Sequence, residues 1–191
     1  MNPNNPALHH IAEIAKSLCV WDISKIVIED QRFGIWSGSH DPKKHHYGLN
    51  GLVKHTLDVY RLSSIINAHY GNIVNEPILF LACLYHDYGK VWDYCWKYGA
   101  DGDYSQENYV WSYTEHKHQI HHLSRSAIEW SLAVEKFPKY KPFADQVLHA
   151  ILSHHGRREY RSPVEPQTKL AWILHLCDSM SARIDETQNI R

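Results

Sequence analysis

The sequence predicts an all-α domain. Apolar residues recur at three- and four-residue spacing along most of its 191 residues, the period of helices that bury one face. Glycine, asparagine and proline mark the breaks between these segments, and no internal repeat or low-complexity linker divides the chain. The length fits one domain. We expect a single unit over 1–191, with an N-terminal helical segment and loop at 1–44, a core at 45–185, and an aromatic-rich insertion at about 91–113.

Residues 7–20 read as a first helix, and Ile26-Val27-Ile28 within 21–36 suits strand or helix. Residues 37–48 read as a loop. A helix over about 50–70 places Leu52, Val59, Leu62 and Ile66 on one face, with His55 among them, and Gly71-Asn72 end it. Pro77 suits the first turn of the next helix, which runs through Leu79, Ala82, Leu84 and Tyr85 to His86-Asp87. Residues 91–113 are aromatic, weakly periodic and read as a long loop or insertion. A helix over about 115–136 aligns Ile120, Leu123, Ala127, Trp130 and Val134. Pro138 and Pro142 bracket a connector, and residues 143–155 align Phe143, Val147, Ala150 and Ile151 with His154. Pro163 and Pro166 mark a loop, and a last helix over about 167–184 puts Ala171, Leu174 and Asp178 in line.

Composition narrows the function classes. The chain is 43% hydrophobic, enough for a sizeable core, and carries a net charge of −1. Bulk nucleic-acid binding normally shows as a basic excess, so it is not expected here. No apolar run reaches the length of a membrane span, and the start of the sequence lacks the charged and apolar regions of a signal peptide, so a cytoplasmic location is expected. Cys19, Cys83, Cys95 and Cys177 have no metal-type or disulfide spacing and read as reduced thiols. The 16 histidines, 7 tryptophans and 12 tyrosines are the unusual feature.

Position gives those histidines meaning. His55, His154 and Asp178 lie on apolar helix faces, and His86-Asp87 closes a fourth apolar segment. Each one alone reads as an ordinary buried polar group satisfied by hydrogen bonds. Together they read differently, because an unpaired buried carboxylate is costly and a divalent cation held with imidazoles satisfies it. Imidazole with carboxylate favours Mn²⁺, Fe²⁺, Co²⁺ or Zn²⁺ over Mg²⁺.

The ordered segments His45-His46 to His55, His86-Asp87-Tyr-Gly89-Lys90, Ser153-His154-His155-Gly156 and Leu174-His175-Leu176-Cys177-Asp178 resemble the HD superfamily of metal-dependent phosphohydrolases. The pattern is similar to the HD domain of bacterial 3′–5′ exoribonucleases of the YhaM type over roughly residues 45–185. The resemblance implies a helical bundle with a metal site between helices. It implies that His55, His86, Asp87 and Asp178 hold one ion. His154 and His155 match the pair found in two-metal members such as the HD-GYP cyclic-dinucleotide phosphodiesterases. A histidine from the segment His116-Lys-His118-Gln-Ile-His121-His122 completes that second position. His122 fits the family pattern best, with small Ser126 where a glycine usually lies; His118 is the reserve, and His116 and His121 stay open. Asp87 then bridges two ions, and Asp87 and Lys90 are the implied catalytic residues. Two such ions can activate a water and clamp phosphoryl oxygens during in-line attack.

Arg157, Arg158, Arg161 and Arg183, with Lys43 and Lys44, are candidate phosphate-binding residues, and His46 joins Arg157, Arg158 and Arg183 in the expected substrate site. Trp92, Tyr94, Trp96, Tyr98, Tyr104, Tyr109, Trp111 and Tyr113 can stack on nucleobases or pack as a lid. The residues before His45 are too few and too helical for an oligonucleotide-binding barrel. The expected substrate is therefore a nucleotide or a short oligonucleotide, with no membrane partner. Two rival readings use the same residues: a di-iron HD-fold oxygenase, and a nucleotide-sensing module without catalysis. Oligomeric state is open in all three.

Overall fold

The computed structural model describes residues 5–98 and 109–188. The helices are α1 (Pro6–Ser17), α2 (Trp21–Ile28), α3 (Gln31–Ile35), α4 (Gly51–His69), α5 (Glu76–Tyr85), α6 (Lys90–Asp93), α7 (Glu115–Gln119), α8 (His121–Lys136), α9 (Ala144–Ser153) and α10 (Lys169–Gln188). One hairpin, β1 (Tyr94–Tyr98) and β2 (Tyr109–Tyr113), interrupts them. The expected helical class holds. The ambiguous run Ile26-Val27-Ile28 is helical and ends α2.

Helix α5 is the axis of the bundle. Every residue from Ile78 to Tyr85 is buried, and a helix that is apolar all round has to be enclosed. It packs against α2, α4, α8, α9 and α10, and so delivers His86-Asp87 from its C-terminal end into the middle of the molecule. Around it, α4 buries Leu52, His55 and Val59, α9 buries Val147, Ala150 and Ile151, and α10 buries Leu170, Leu174 and Cys177. Each fully buried leucine, isoleucine or valine among these contributes roughly 1.5–3 kcal/mol relative to exposure. Among the described residues, no helix is long and apolar enough to cross a membrane.

Two expectations need correction. The stretch at 91–113 is not a loop where it is described: it is a short helix followed by an antiparallel hairpin, with Tyr94 opposite Tyr113 and Trp96 opposite Trp111. The overlooked signal is the two-residue alternation of large rings in Tyr94, Trp96 and Tyr98 and in Tyr109, Trp111 and Tyr113, which is the strand period. Tyr104 lies outside the described residues. The single helix over 115–136 is in fact two, because His121 takes a left-handed φ of 71° and breaks the backbone ladder. Ile120 is consequently 38% exposed rather than buried, and Phe143, also placed on an apolar stripe, is 40% exposed.

Candidate metal centre

The candidate site forms where α4, α10 and the ends of α5, α8 and α9 meet around His86-Asp87. The turn after α5 can approach α8 because Gly89 has no side chain; a Cβ there would collide with the His122 carbonyl. Its amide instead donates to Ser126 Oγ at 2.8 Å. Beyond α9, Gly156 takes a φ of 82°, a conformation that suits glycine, and the ring of His175 covers it.

Four of the five converging imidazoles are held in one manner, donating through Nδ1, while the fifth, His55, faces a hydroxyl. His86 Nδ1 donates to the Cys83 carbonyl at 2.7 Å, His154 Nδ1 to Ile151 at 2.7 Å, and His155 Nδ1 to Tyr160 at 2.9 Å. His122 Nδ1 donates to the Asp93 carboxylate at 2.9 Å, and His55 Nδ1 lies 3.3 Å from Ser181 Oγ. A ring that donates through Nδ1 presents a bare Nε2, the form a metal ligand requires. The Nε2 atoms converge: His55 and His86 approach to 3.4 Å, His122 and His155 to 3.2 Å. Two bare nitrogens cannot bond each other, whereas a cation between them satisfies both.

The carboxylates lie among them. Asp178 Oδ1 is 2.9 Å from His55 Nε2. Asp87 faces two ways: Oδ2 is 3.3 Å from both His55 and His86, while Oδ1 is 3.5 Å from His122 and 3.6 Å from His154. Asp87 Oδ1 and His154 Nε2 are buried without a hydrogen-bond partner, an uncommon and costly condition. Lys90 Nζ reaches Asp87 Oδ2 at 2.6 Å and donates to the Gly38 carbonyl at 3.0 Å, neutralising one of the two carboxylates. Burial opposes charge on His86, yet Asp87 and Asp178 overrule it and raise the imidazole to about 10: the two carboxylates draw positive charge to this point, whether a proton on Nε2 or a metal ion in its place. Burial would also raise Asp87, but Lys90 and then His86 outweigh it and hold the carboxyl well below its usual range. At His122 burial outweighs Asp93 and Asp87 and holds the imidazole well below its usual range.

The donor set fits divalent transition metals. The ligand atoms of His55, His86, Asp87 and Asp178 lie within 4.8 Å of one another, as do those of His122, His154 and His155. The remaining candidates lie elsewhere. His116 donates to Asp93 at 2.8 Å, His118 is exposed beside Tyr113, and half-buried His121 stacks on His122.

A cleft of about 450 Å³ opens above Asp87, Lys90, His122, His155 and Asp178. Tyr94, Tyr113 and His40 line one wall, while Lys44, His45, Tyr160, His175 and Arg183 line other parts of it. The expected substrate residues divide here. Arg183 lines the cleft. Arg157 and Arg158 are exposed and outside the lining, whereas Tyr160 of the same short 3-10 turn reaches the cleft. His46 does not reach the cleft either. Its φ of 50° turns it toward α4 and α10, where Nε2 meets Asp58 at 3.2 Å and its amide donates to Asp185 at 2.6 Å; His45 faces the cleft in its place. Of the other rings, Trp96 stacks on Trp111 and Trp92 packs on Tyr88. Sequence reasoning also passed over Asp93, a buried carboxylate inside the stretch read as loop, and Ser181; neither carries a spacing signal.

The HD domain family profile matches residues 52–183. The chain is 31% identical to the 3′-5′ exoribonuclease YhaM of Bacillus subtilis (strain 168) over 143 residues, which cover 75% of this chain and 42% of that protein. It is 32% identical to the 3′-5′ exoribonuclease YhaM of Bacillus velezensis over 145 residues, covering 74% and 41%. The chain thus spans about two fifths of the length of the curated relatives it matches. No solved structure gives a significant match. Ligand-type residues converging between helices, and a profile match over most of the chain, lead to one conclusion: the chain belongs to the HD domain family.

Proposed function

We propose that this chain is a metal-dependent phosphohydrolase that cleaves a phosphoester of a nucleotide or short oligonucleotide. The observation that carries the reading is the convergence of five Nε2 atoms and two carboxylates at the floor of one cleft. The exoribonuclease relatives support a nucleic-acid-type substrate.

In this reading His55, His86, Asp87 and Asp178 would hold one ion, and His122, His154 and His155, with Asp87, would hold a second. Manganese, iron, cobalt and zinc suit these donors. When bound, such ions supply the positive charge that activates a water and neutralises the phosphoryl oxygens. Lys90 keeps Asp87 ionised and oriented through its 2.6 Å contact, and its ammonium lies at the cleft floor where a phosphoryl oxygen arrives. Arg183 and Lys44 offer cations at the rim to the rest of the phosphate chain. Tyr94, Tyr113 and His40 offer flat faces to a base.

The test is a substrate screen of the purified Mn²⁺-loaded protein against bis-(p-nitrophenyl) phosphate, mononucleotides, cyclic dinucleotides and short oligonucleotides. Metal-dependent turnover of a nucleotide or oligonucleotide is expected. Absence of turnover on every substrate overturns the proposal, and oxygen consumption by iron-loaded protein in its place would favour the oxygenase reading.

A further inference from the structure

Asp93 closes α6 at the root of the hairpin and is fully buried. Its carboxylate collects four donors: His122 Nδ1 at 2.9 Å, the His122 amide at 3.1 Å, His116 Nδ1 at 2.8 Å and Lys117 Nζ at 3.2 Å. Its own carbonyl accepts from Thr114 across the base of the hairpin at 3.0 Å. Both the amide and the ring of His122 therefore bond to one carboxylate oxygen, which restrains the backbone position and the ring together. The left-handed φ of His121 fits this arrangement, because it interrupts the helical ladder and frees the His122 amide to point at Asp93. No other histidine of the cluster donates to a carboxylate through Nδ1: His86, His154 and His155 use backbone carbonyls, and His55 a hydroxyl.

We infer that Asp93 is a positioning residue: it fixes His122 as the Nδ1–H tautomer, aims Nε2 at Asp87 and His155, and thereby sets the occupancy of the second metal position. The inference rests on the two-ion reading above. A carboxylate behind a ligating imidazole raises its basicity and locks its orientation, and loss of such a partner typically lowers metal affinity about tenfold to a hundredfold. Lys117 supplies the opposite charge beside buried Asp93, and His116 supplies one further hydrogen bond. The alternative is a merely structural pin between the hairpin and α7. It predicts a loss of stability with no change in the tautomer of His122 or in metal count.

The experiment compares wild type, Asp93→Ala, Asp93→Asn and His116→Ala, the last removing one Asp93 contact that does not touch His122. Metal-to-protein ratio is measured after equilibration with Mn²⁺ and desalting, and the His122 tautomer is read by ¹⁵N-correlated NMR on the Zn²⁺-loaded protein. Two ions are expected in wild type and His116→Ala, and one in Asp93→Ala, with the fixed Nδ1–H tautomer lost. Asp93→Asn keeps the shape and an acceptor oxygen, so it should retain the fold and bind the second ion about tenfold more weakly; it decides the matter if Asp93→Ala fails to fold. Wild-type stoichiometry, affinity and tautomer in Asp93→Asn and Asp93→Ala overturn the inference. A single ion in wild type overturns the two-ion reading instead, and the tautomer measurement then decides the role of Asp93.

Discussion

The two halves of the candidate centre are built differently. His55 and Asp178 stand in the interiors of α4 and α10, with His86 at the end of the enclosed helix α5. Their imidazole backing is a hydroxyl and a carbonyl within the bundle. The other half comes from helix ends. His122 is the second residue of α8, His154 caps α9, and His155 follows it. His122 and His155 are backed by the hairpin root and the turn after Gly156, and only His154 is backed by its own helix, at Ile151. A ligand inside a helix is placed by helical period and core packing. A ligand at a helix end depends on whatever fixes that end. The inner half should therefore be the more robust, and the outer half the one that loops and variants tune.

Asp87 joins the halves, so Asp87→Ala should give the largest effect: loss of both ions and a fall in kcat/KM of about a thousandfold or more, the scale for removing a preorganised electrostatic group. Metal analysis beside bis-(p-nitrophenyl) phosphate kinetics checks this, and activity within tenfold of wild type would break the idea of a shared ligand. Metal removal comes next. At a concentration a hundred times the dissociation constant, an ion stabilises by about 2.7 kcal/mol, so stripping should lower Tm by about 5–10 °C for a chain of this size. Graded chelation followed by metal analysis should release the outer ion first. Loss of both ions in one step would erase the distinction between the halves.

Lys90→Met leaves Asp87 Oδ2 without its ammonium, and kcat should fall about a hundredfold with KM changed less; an unchanged kcat would reduce Lys90 to a structural tether. Arg183 is 77% exposed and bonded to Glu186, so Arg183→Ala should raise KM only about fivefold, the modest contribution of a solvated cation, with metal content unchanged. The smallest effect belongs far from either half. Asp30 caps α3 through the Arg32 amide. Burial would raise its carboxyl, but Arg32 and Tyr88 hold it below the usual range. A lowered carboxylate stabilises the fold above the unfolded value near 3.9, and that stability is lost as pH falls through the lower folded value. Asp30→Ala should cost about 1 kcal/mol at pH 7, and thermal melts should show the difference shrinking once the pH falls below the unfolded value. A constant difference across that range would assign the loss to packing rather than charge.

Legibility followed the same division. His55 and Asp178 were readable because each shares a stripe with Leu52 and Val59, or with Ala171 and Leu174. His122 could not be separated from its neighbours by period alone. The break at His121 belongs to no periodic pattern, and it sends His116 to Asp93, leaves His118 exposed and turns His122 inward. Similarly, nothing in the pair His45-His46 says which ring enters the cleft; a positive φ at His46 decides it.

By itself the sequence determined the helical class, the apolar helix that ends at His86-Asp87 and the set of metal-type residues. Those follow from period and residue chemistry, which are local. Only the tertiary structure decided which histidine of 116–122 joins Asp87, that Asp93 stands behind it, that the aromatic insertion is a hairpin walling the cleft where it is described, and that Arg157, Arg158 and His46 lie away from it. These depend on how helix ends and connecting segments meet across the bundle, and no local period encodes such meetings.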